Sequence, residues 1–502
     1  MKRSRVSGLS AWLQRALASQ KFFYGIIAFL TLTAVWVAIS SLYPMAFDED
    51  FHVGIIKLYA DVWSPFSFVQ PDGPAPFGAL ETDPSYLFHY LMSFPYRLLA
   101  HFTTSETAIV IVLRFINIAL FVAAVILYRK VLLRAKVSPA ITNTILAVFV
   151  LIPVVPLLAG QINYDNLLML IVAVVFLLAI SIREKLVIKH ELPAASTLWL
   201  VVLLLFTAVV KYAFLPIAVG VVFYLCYEIA RALKKNDELP AAFLQNAKKF
   251  SWPLKLTFIV LLSVSLILCA QRYVGNIAKH HDLVPDCAIV LDEERCAAYS
   301  VWNRDNIYSQ NKPDTEIRGP IGYTAIDWTW GMWQRLFYTL AGPTNDYATR
   351  RPLPIPSIMA IILIAFGAIF VLWFGRRILK EYPVFLLFLT VSVLYVAALW
   401  LQEYQMYVYT ARPVAINGRY LIPLLPALGA IVAVAYVKFF RSIRRPQYSS
   451  IFAAVVLLLF LQGGSIVTYV VRSEPNWYWH DSFMQGANQN LQKLLKPVTI
   501  GS

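Results

Sequence analysis

Apolar residues run in stretches of roughly 17 to 23, each long enough to cross a ~30 Å hydrocarbon layer at the 1.5 Å rise of an α-helix. The pattern predicts an all-α integral membrane chain of about eleven transmembrane helices, near residues 22–43, 107–128, 138–159, 165–182, 195–210, 213–230, 253–274, 355–374, 383–402, 420–438 and 449–471. Lys2, Arg3, Arg5, Arg15 and Lys21 precede the first, but it is too long for a signal peptide and lacks a small-residue cleavage site, so it reads as a retained span. No internal repeat, low-complexity tract or soluble domain interrupts the series. Residues 1–502 read as one polytopic domain.

Composition agrees: 59% of the 502 residues are hydrophobic and 14% charged, against roughly 25% charged in a soluble domain. The net charge of +15 is not gathered in one region, which argues against a nucleic-acid partner. Its clusters, Arg129 to Lys136, Arg183 to Lys189, Arg231 to Lys249, Arg376 to Lys380 and Lys438 to Arg445, fall on every second loop. Short basic loops stay cytoplasmic, so the expectation is a multi-pass protein of the plasma (inner) membrane. Its N-terminus would be cytoplasmic and its tail, 472–502, extracytoplasmic.

Two extracytoplasmic loops are long, 44–106 and 275–354. In the first, Phe51, Ile55, Leu58, Tyr59 and Val62 recur at helical spacing in a stretch too short and polar to span, which predicts an amphipathic interfacial helix. After a Pro-rich stretch, Asp83-Pro84 reads as an N-cap with Pro at the first helical position, opening a second such helix through Tyr86, Leu87, Tyr90, Leu91, Phe94 and Leu98. In the second loop, Trp328, Trp330 and Trp333 read as headgroup-level anchors. Cys287 and Cys296 bracket a short segment of that loop, where an oxidising compartment favours a disulfide; Cys226 and Cys269 fall inside spans as packing residues.

Candidate chemistry clusters at span ends. Asp48 and His52 lie four apart after the first span, with Glu49 beside them, and on a helix they share a face. A carboxylate at the membrane edge near an imidazole can accept a proton from a hydroxyl nucleophile, while Asp48 can also simply cap the helix. Asn163, Asp165 and Asn166 occupy a very short turn, and Lys211 lies between two tightly joined apolar runs. Ionisable groups at such depth face a cavity or a bound ion. Lys211 either neutralises a phosphate or snorkels to the interface. Arg412, then Asn417-Gly418-Arg419-Tyr420, open the tenth span: the Arg fork suits phosphate oxygens, and Gly418 permits close backbone approach. Glu403 is a further acid. His280-His281-Asp282 and Asp292-Glu293-Glu294 lack a spacing that fixes a coordination geometry, so no cofactor is expected, with a bound divalent metal as the lesser alternative. No Walker-type loop, GxSxG or dinucleotide fingerprint is present.

FDEDFH after the first span, DPSYLFHYLMSFPYRLL in the first loop, QINYDN before the fourth span, KYAFLP around Lys211 and NGRYLIPLLPAL at the tenth span, in this order, resemble the GT-C superfamily of membrane glycosyltransferases, and most closely a family of bacterial multi-pass membrane proteins within it. The resemblance implies an inverting transfer of a sugar from a polyprenyl-phosphate donor to a hydroxyl of a cell-surface glycan or glycolipid, on the outer face of the bilayer. It implies a general base at Asp48 or Glu49. Lys211 and Arg419 would hold the donor phosphate, with His52, Asp165 and Tyr420 as further substrate-binding residues. The alternative is a transporter or flippase of a polyprenyl-linked or amphiphilic substrate, with Asp165, Lys211 and Glu403 as coupling residues.

Overall fold

A computed structural model describes residues 2–45, 48–66, 68–234, 239–313, 317–337, 355–473 and 477–496. Among them, regular structure is helical apart from an isolated antiparallel bridge between Ser41 and Tyr478. The first ten α-helices are α1 (Lys2–Ala18), α2 (Gln20–Ser40), α3 (Glu49–Ala60), α4 (Leu87–Ala100), α5 (Glu106–Arg134), α6 (Pro139–Val150), α7 (Val154–Ala159), α8 (Tyr164–Ile188), α9 (Ala194–Ala208) and α10 (Leu215–Leu233).

Nine helices among the described residues are long and apolar enough to cross a membrane: Gln20–Ser40, Glu106–Arg134, Tyr164–Ile188, Tyr212–Leu233, Trp252–His280, Ile355–Glu381, Phe385–Thr410, Leu425–Ser442 and Tyr448–Val471. The other two expected spans are shorter. Residues 138–159 divide into α6 and α7, broken at Leu151–Pro153, where Pro153 has no N–H to continue the ladder. The stretch 195–210 forms α9, which stops at Ala208 before Lys211. The amphiphilic N-terminal stretch is itself helical, which the hydropathy pattern did not indicate. That helix, α1, is pinned by a 2.9 Å bond between the Ser10 and Ser450 hydroxyls, while Asn143 donates to the carbonyls of Leu17 (2.8 Å) and Ser19 (3.2 Å).

The first long loop forms the two short helices, α3 and α4, packed on each other. The buried stripe of α3 is Glu49, His52, Val53, Ile55, Ile56 and Tyr59; the helix ends at Ala60, so Val62 lies beyond it. Arg97 on α4 closes that end, donating to the carbonyls of Tyr59 and Ala60 at 2.6 Å and to that of Val62. Tyr59 and Ala60 belong to the last turn of α3, whose carbonyls lack the next turn's N–H partners, and a cation suits them. Arg97→Ala is expected to lower stability by about 1–3 kcal/mol, read as a fall in melting temperature in detergent.

The start of α4 differs from the expected cap. Asp83 accepts a 2.8 Å bond from the Ser85 N–H in a local turn, and the helix opens at Leu87. Leu87 N–H donates to the Val209 carbonyl at 2.9 Å, which ties α4 to the junction of α9 and α10.

In the second long loop Cys287 and Cys296 form a disulfide. Arg295, inside that closed segment, donates to the carbonyls of Pro71 (2.7 Å) and Gly73 (2.8 Å), so the two long loops are bound together. The tryptophans do more than anchor: Trp328 donates to Glu403 and Trp333 donates to Ser357 at 2.7 Å, docking the loop onto apolar helices, while Trp330 remains exposed. Residues 338–354 of this loop and 497–502 of the tail lie outside the described residues. The tail is partly helical, Ser482–Leu495, and returns to the end of α2, where Leu42 N–H donates to the Trp477 carbonyl (2.9 Å) and Trp36 to Asn488 (3.2 Å). The tail and the first long loop therefore share one end of the bundle.

Candidate functional site

Four segments far apart in sequence meet at that end. Asp48 follows α2; Asp165 sits in the first turn of α8; Lys211 lies in the extended break before α10; Arg419 sits in a 3-10 turn before Leu425–Ser442. Arg419 Nη2 donates to Asp48 Oδ2 at 2.9 Å, its Nε lies 3.7 Å from Asp165 Oδ2, and Lys211 Nζ donates to Asp165 Oδ1. Two carboxylates and two cations thus form one continuous, formally neutral chain. The Lys211 ammonium also lies 4.3 Å from the centre of the Tyr164 ring and 4.9 Å from that of Tyr420, which lends it cation–π attraction. Lys211 is buried and paired rather than snorkelling.

Local chemistry explains each placement. Asn163 caps α8, accepting from Asp165 N–H at 2.9 Å, and this fixes Asp165 in the first turn, where the helix dipole favours a carboxylate. Asn417 does the same for the 3-10 turn, accepting from Arg419 N–H at 3.1 Å. The expected role of Gly418 changes. A Cβ there would fall on the Met332 carbonyl and the Leu336 side chain, so the close approach it permits is that of the helix Thr329–Phe337.

The adjacent acids Asp48 and Glu49 have opposite environments. Asp48 adopts a left-handed backbone, φ +67°, makes no side-chain cap, and its side chain is 56% exposed. A non-glycine residue pays a steric cost there, and Asp is among the residues that tolerate it. Glu49 is fully buried and fully satisfied. It takes a fork from Arg114 (2.8 and 2.7 Å) and accepts from the N–H groups of Met45 (2.8 Å) and Ile162 (3.1 Å). Arg114 spends its other donors on the carbonyls of Ala38, Ser41 and Leu42. Glu49 therefore joins the end of α2, α5 and the 161–166 turn, with no lone pair directed at solvent.

His52 does not hold Asp48. Its Nδ1 is 2.9 Å from His89 Nε2 on α4, the rings stack at 5.1 Å, and Tyr164 meets His52 edge-on at 4.6 Å. Burial pushes His52 well below the usual imidazole range, followed by the charges of His89, Arg419 and Lys211; burial likewise pushes His89 down to about 3. The sign follows directly. Below an unfolded value near 6.5 the unfolded chain takes up protons that the native pair refuses, so the native state is fully stable above pH ~6.5 and loses about 1.4 kcal/mol per pH unit per histidine below it. The melting temperature in detergent is expected to fall from pH 6.5 towards 4.5, less steeply in the His52→Gln, His89→Gln double variant.

Sequence reasoning missed Arg114, Asn117 and His89. Asn117 accepts from Asn163 N–H (3.3 Å) and Asn166 Nδ2 (3.1 Å), shaping the turn that presents Asp165. Arg114 and Asn117 were visible as polar residues inside an apolar run, which is a functional or structural flag in a membrane helix. His89 carried no such signal. Arg412 stacks on Tyr308 at 4.4 Å, outside the cluster, and Glu403 is held by Trp328. Among the described residues, no three His, Cys, Asp or Glu side chains gather closely enough to hold a metal ion.

Among solved structures, the chain is similar to the Archaeoglobus fulgidus oligosaccharyltransferase captured with a tethered acceptor peptide, at 13% identity and a TM-score of 0.43. The likeness covers 94% of this chain and 55% of that one, so the chain spans about half the length of the protein it matches. No family model matches the sequence, and no curated protein matches it.

Proposed function

We propose that this protein is a GT-C-type membrane glycosyltransferase that moves a sugar from a polyprenyl-phosphate donor to a hydroxyl of a cell-surface glycan or glycolipid. The carrying observation is the meeting of Asp48, Asp165, Lys211 and Arg419, drawn from four separate segments, at the end of the bundle that bears the long loops. Displacing a lipid phosphate from an anomeric carbon requires a base on the acceptor and cations on the leaving group, held where bilayer meets water. Asp48 is the base in this reading, because Glu49 is buried and fully paired with Arg114, whereas Asp48 is exposed and meets the cation cluster through Arg419. Lys211 and Arg419 receive the phosphate. Asp165 orients both cations, and Tyr420 and Tyr164 flank the ammonium. His52 supports the wall of the site through His89 rather than touching the reacting atoms.

One base and one displacement give inversion at the sugar. The long-loop end faces outwards in this reading, since the basic clusters occupy the other end, and the membrane is the plasma membrane. The test is reconstitution of the purified chain in liposomes with polyprenyl-phosphate sugars and candidate acceptors. Release of polyprenyl phosphate coupled to a glycosylated product is the expected result. The buried Lys211–Asp165 pair also suits a transporter's coupling site. Movement of the intact donor across the bilayer with no transfer would establish that second reading instead.

A further inference from the structure

Arg419 touches both halves of the chemistry just proposed. Its Nη2 holds the exposed Asp48 at 2.9 Å, while its Nε edge faces Asp165, itself bound to Lys211. We infer that Arg419 is a shared cation that masks the base before the donor arrives and moves from Asp48 towards the phosphate when the donor binds, staying with that phosphate as it leaves, which makes the reaction donor-first. The inference rests on the glycosyltransferase reading above and adds an order of events to it.

Charge conservation carries the argument. A polyprenyl-phosphate sugar is a phosphodiester with one negative charge; the released polyprenyl phosphate is a monoester that carries up to two. In the step itself the acceptor oxygen forms the bond to the anomeric carbon, the carbon–phosphate oxygen bond breaks with its electron pair going to phosphate, and the acceptor proton moves to Asp48. One negative charge therefore disappears at Asp48 as one appears on phosphate. With Asp48, Asp165, Lys211 and Arg419 already neutral as a set, these four residues offer no spare cation to the phosphate, neither for the charge it brings nor for the one it gains, unless one of them is released. Protonation of Asp48 removes the reason for Arg419 to stay with it, and the guanidinium fork suits a phosphate better than a single carboxylate oxygen. Lys211 is less able to change partners, since it is buried against Asp165 between two tyrosine rings. Arg419 is buried too, but its Asp48 contact is at the solvent edge, where the carboxylate is 56% exposed.

The experiment reads the accessibility of Asp48. The full-length protein in nanodiscs is treated with a water-soluble carbodiimide and an amine, with and without a long-chain polyprenyl monophosphate, and modification of Asp48 is followed by peptide mass spectrometry. Exposed Glu293 and Glu294 serve as internal references. Binding of the polyprenyl monophosphate is measured separately by native mass spectrometry. The expected result is that the lipid binds and modification of Asp48 accelerates roughly fivefold, the factor that matches an ion pair of about 1 kcal/mol, while the references do not change. In Arg419→Gln, where that protein folds, Asp48 reacts fast with or without lipid. Binding with an unchanged Asp48 rate in the wild type overturns the hand-over and leaves the glycosyltransferase reading standing. No binding of the lipid overturns the donor assignment, and the hand-over with it.

Discussion

Asp48→Asn is expected to stop transfer while leaving the protein folded and inserted. The amide keeps the size of the carboxylate and can still accept the Arg419 bond through its carbonyl oxygen, but it cannot take a proton from the acceptor hydroxyl. Loss of a positioned general base lowers rates by about 10²–10⁴-fold. Because the side chain is 56% exposed and caps nothing, its replacement removes little packing. The measurement compares surface-glycan composition in cells expressing the wild type and Asp48→Asn at matched membrane levels. Loss of one sugar, with accumulation of its polyprenyl-phosphate donor, is the expected outcome. Unchanged glycans at matched levels would exclude Asp48 as the base.

Glu49→Gln, one residue along, is expected to fail in the opposite way. The substitution leaves Arg114 charged, buried and without its carboxylate at the meeting point of α2, α5 and the turn before α8. Breaking a buried ion pair from one side costs about 3–5 kcal/mol, enough to remove most of the stability of an ordinary domain. The variant should accumulate poorly and melt early in detergent. Arg114→Gln should do the same, and the double Glu49→Gln, Arg114→Gln variant should recover part of the loss, because neither charge is then stranded. A Glu49→Gln protein of normal stability that lacks activity would instead move the catalytic role to Glu49.

The contrast between neighbouring acids marks the boundary of what the sequence can tell. Hydrophobic periodicity is local, and it located the apolar helices and the two short helices of the first loop, though several of the long helices run six to eight residues past the expected span ends, as Ile355–Glu381 and Phe385–Thr410 do. It placed breaks less well. α6 and α7 read as one span, since the interrupting Pro153 sits among residues as apolar as their neighbours. The N-terminal helix was invisible to hydropathy because its helicity rests on packing against Ser450 and Asn143 rather than on an apolar run. At the site, residue type flagged Asp48, Glu49, Asp165, Lys211 and Arg419, because acids directly after a span and ionisable groups in turns too short to leave the bilayer are candidates for a buried site.

What the sequence determined by itself was therefore an inventory: apolar helices, two long loops, and a set of ionisable groups at helix ends. Which groups touch was decided only by the tertiary structure, since Asp48 and Arg419 stand 371 positions apart and no local pattern couples them. The same holds for the different environments of the Asp48-Glu49 pair. Both side chains are carboxylates with the same intrinsic chemistry, and it is Arg114, 65 residues further along, that buries one, while the other stays at the solvent edge beside Arg419. The identity of an ionisable residue is written in the chain, whereas its role follows from the desolvation and partners that folding imposes on it.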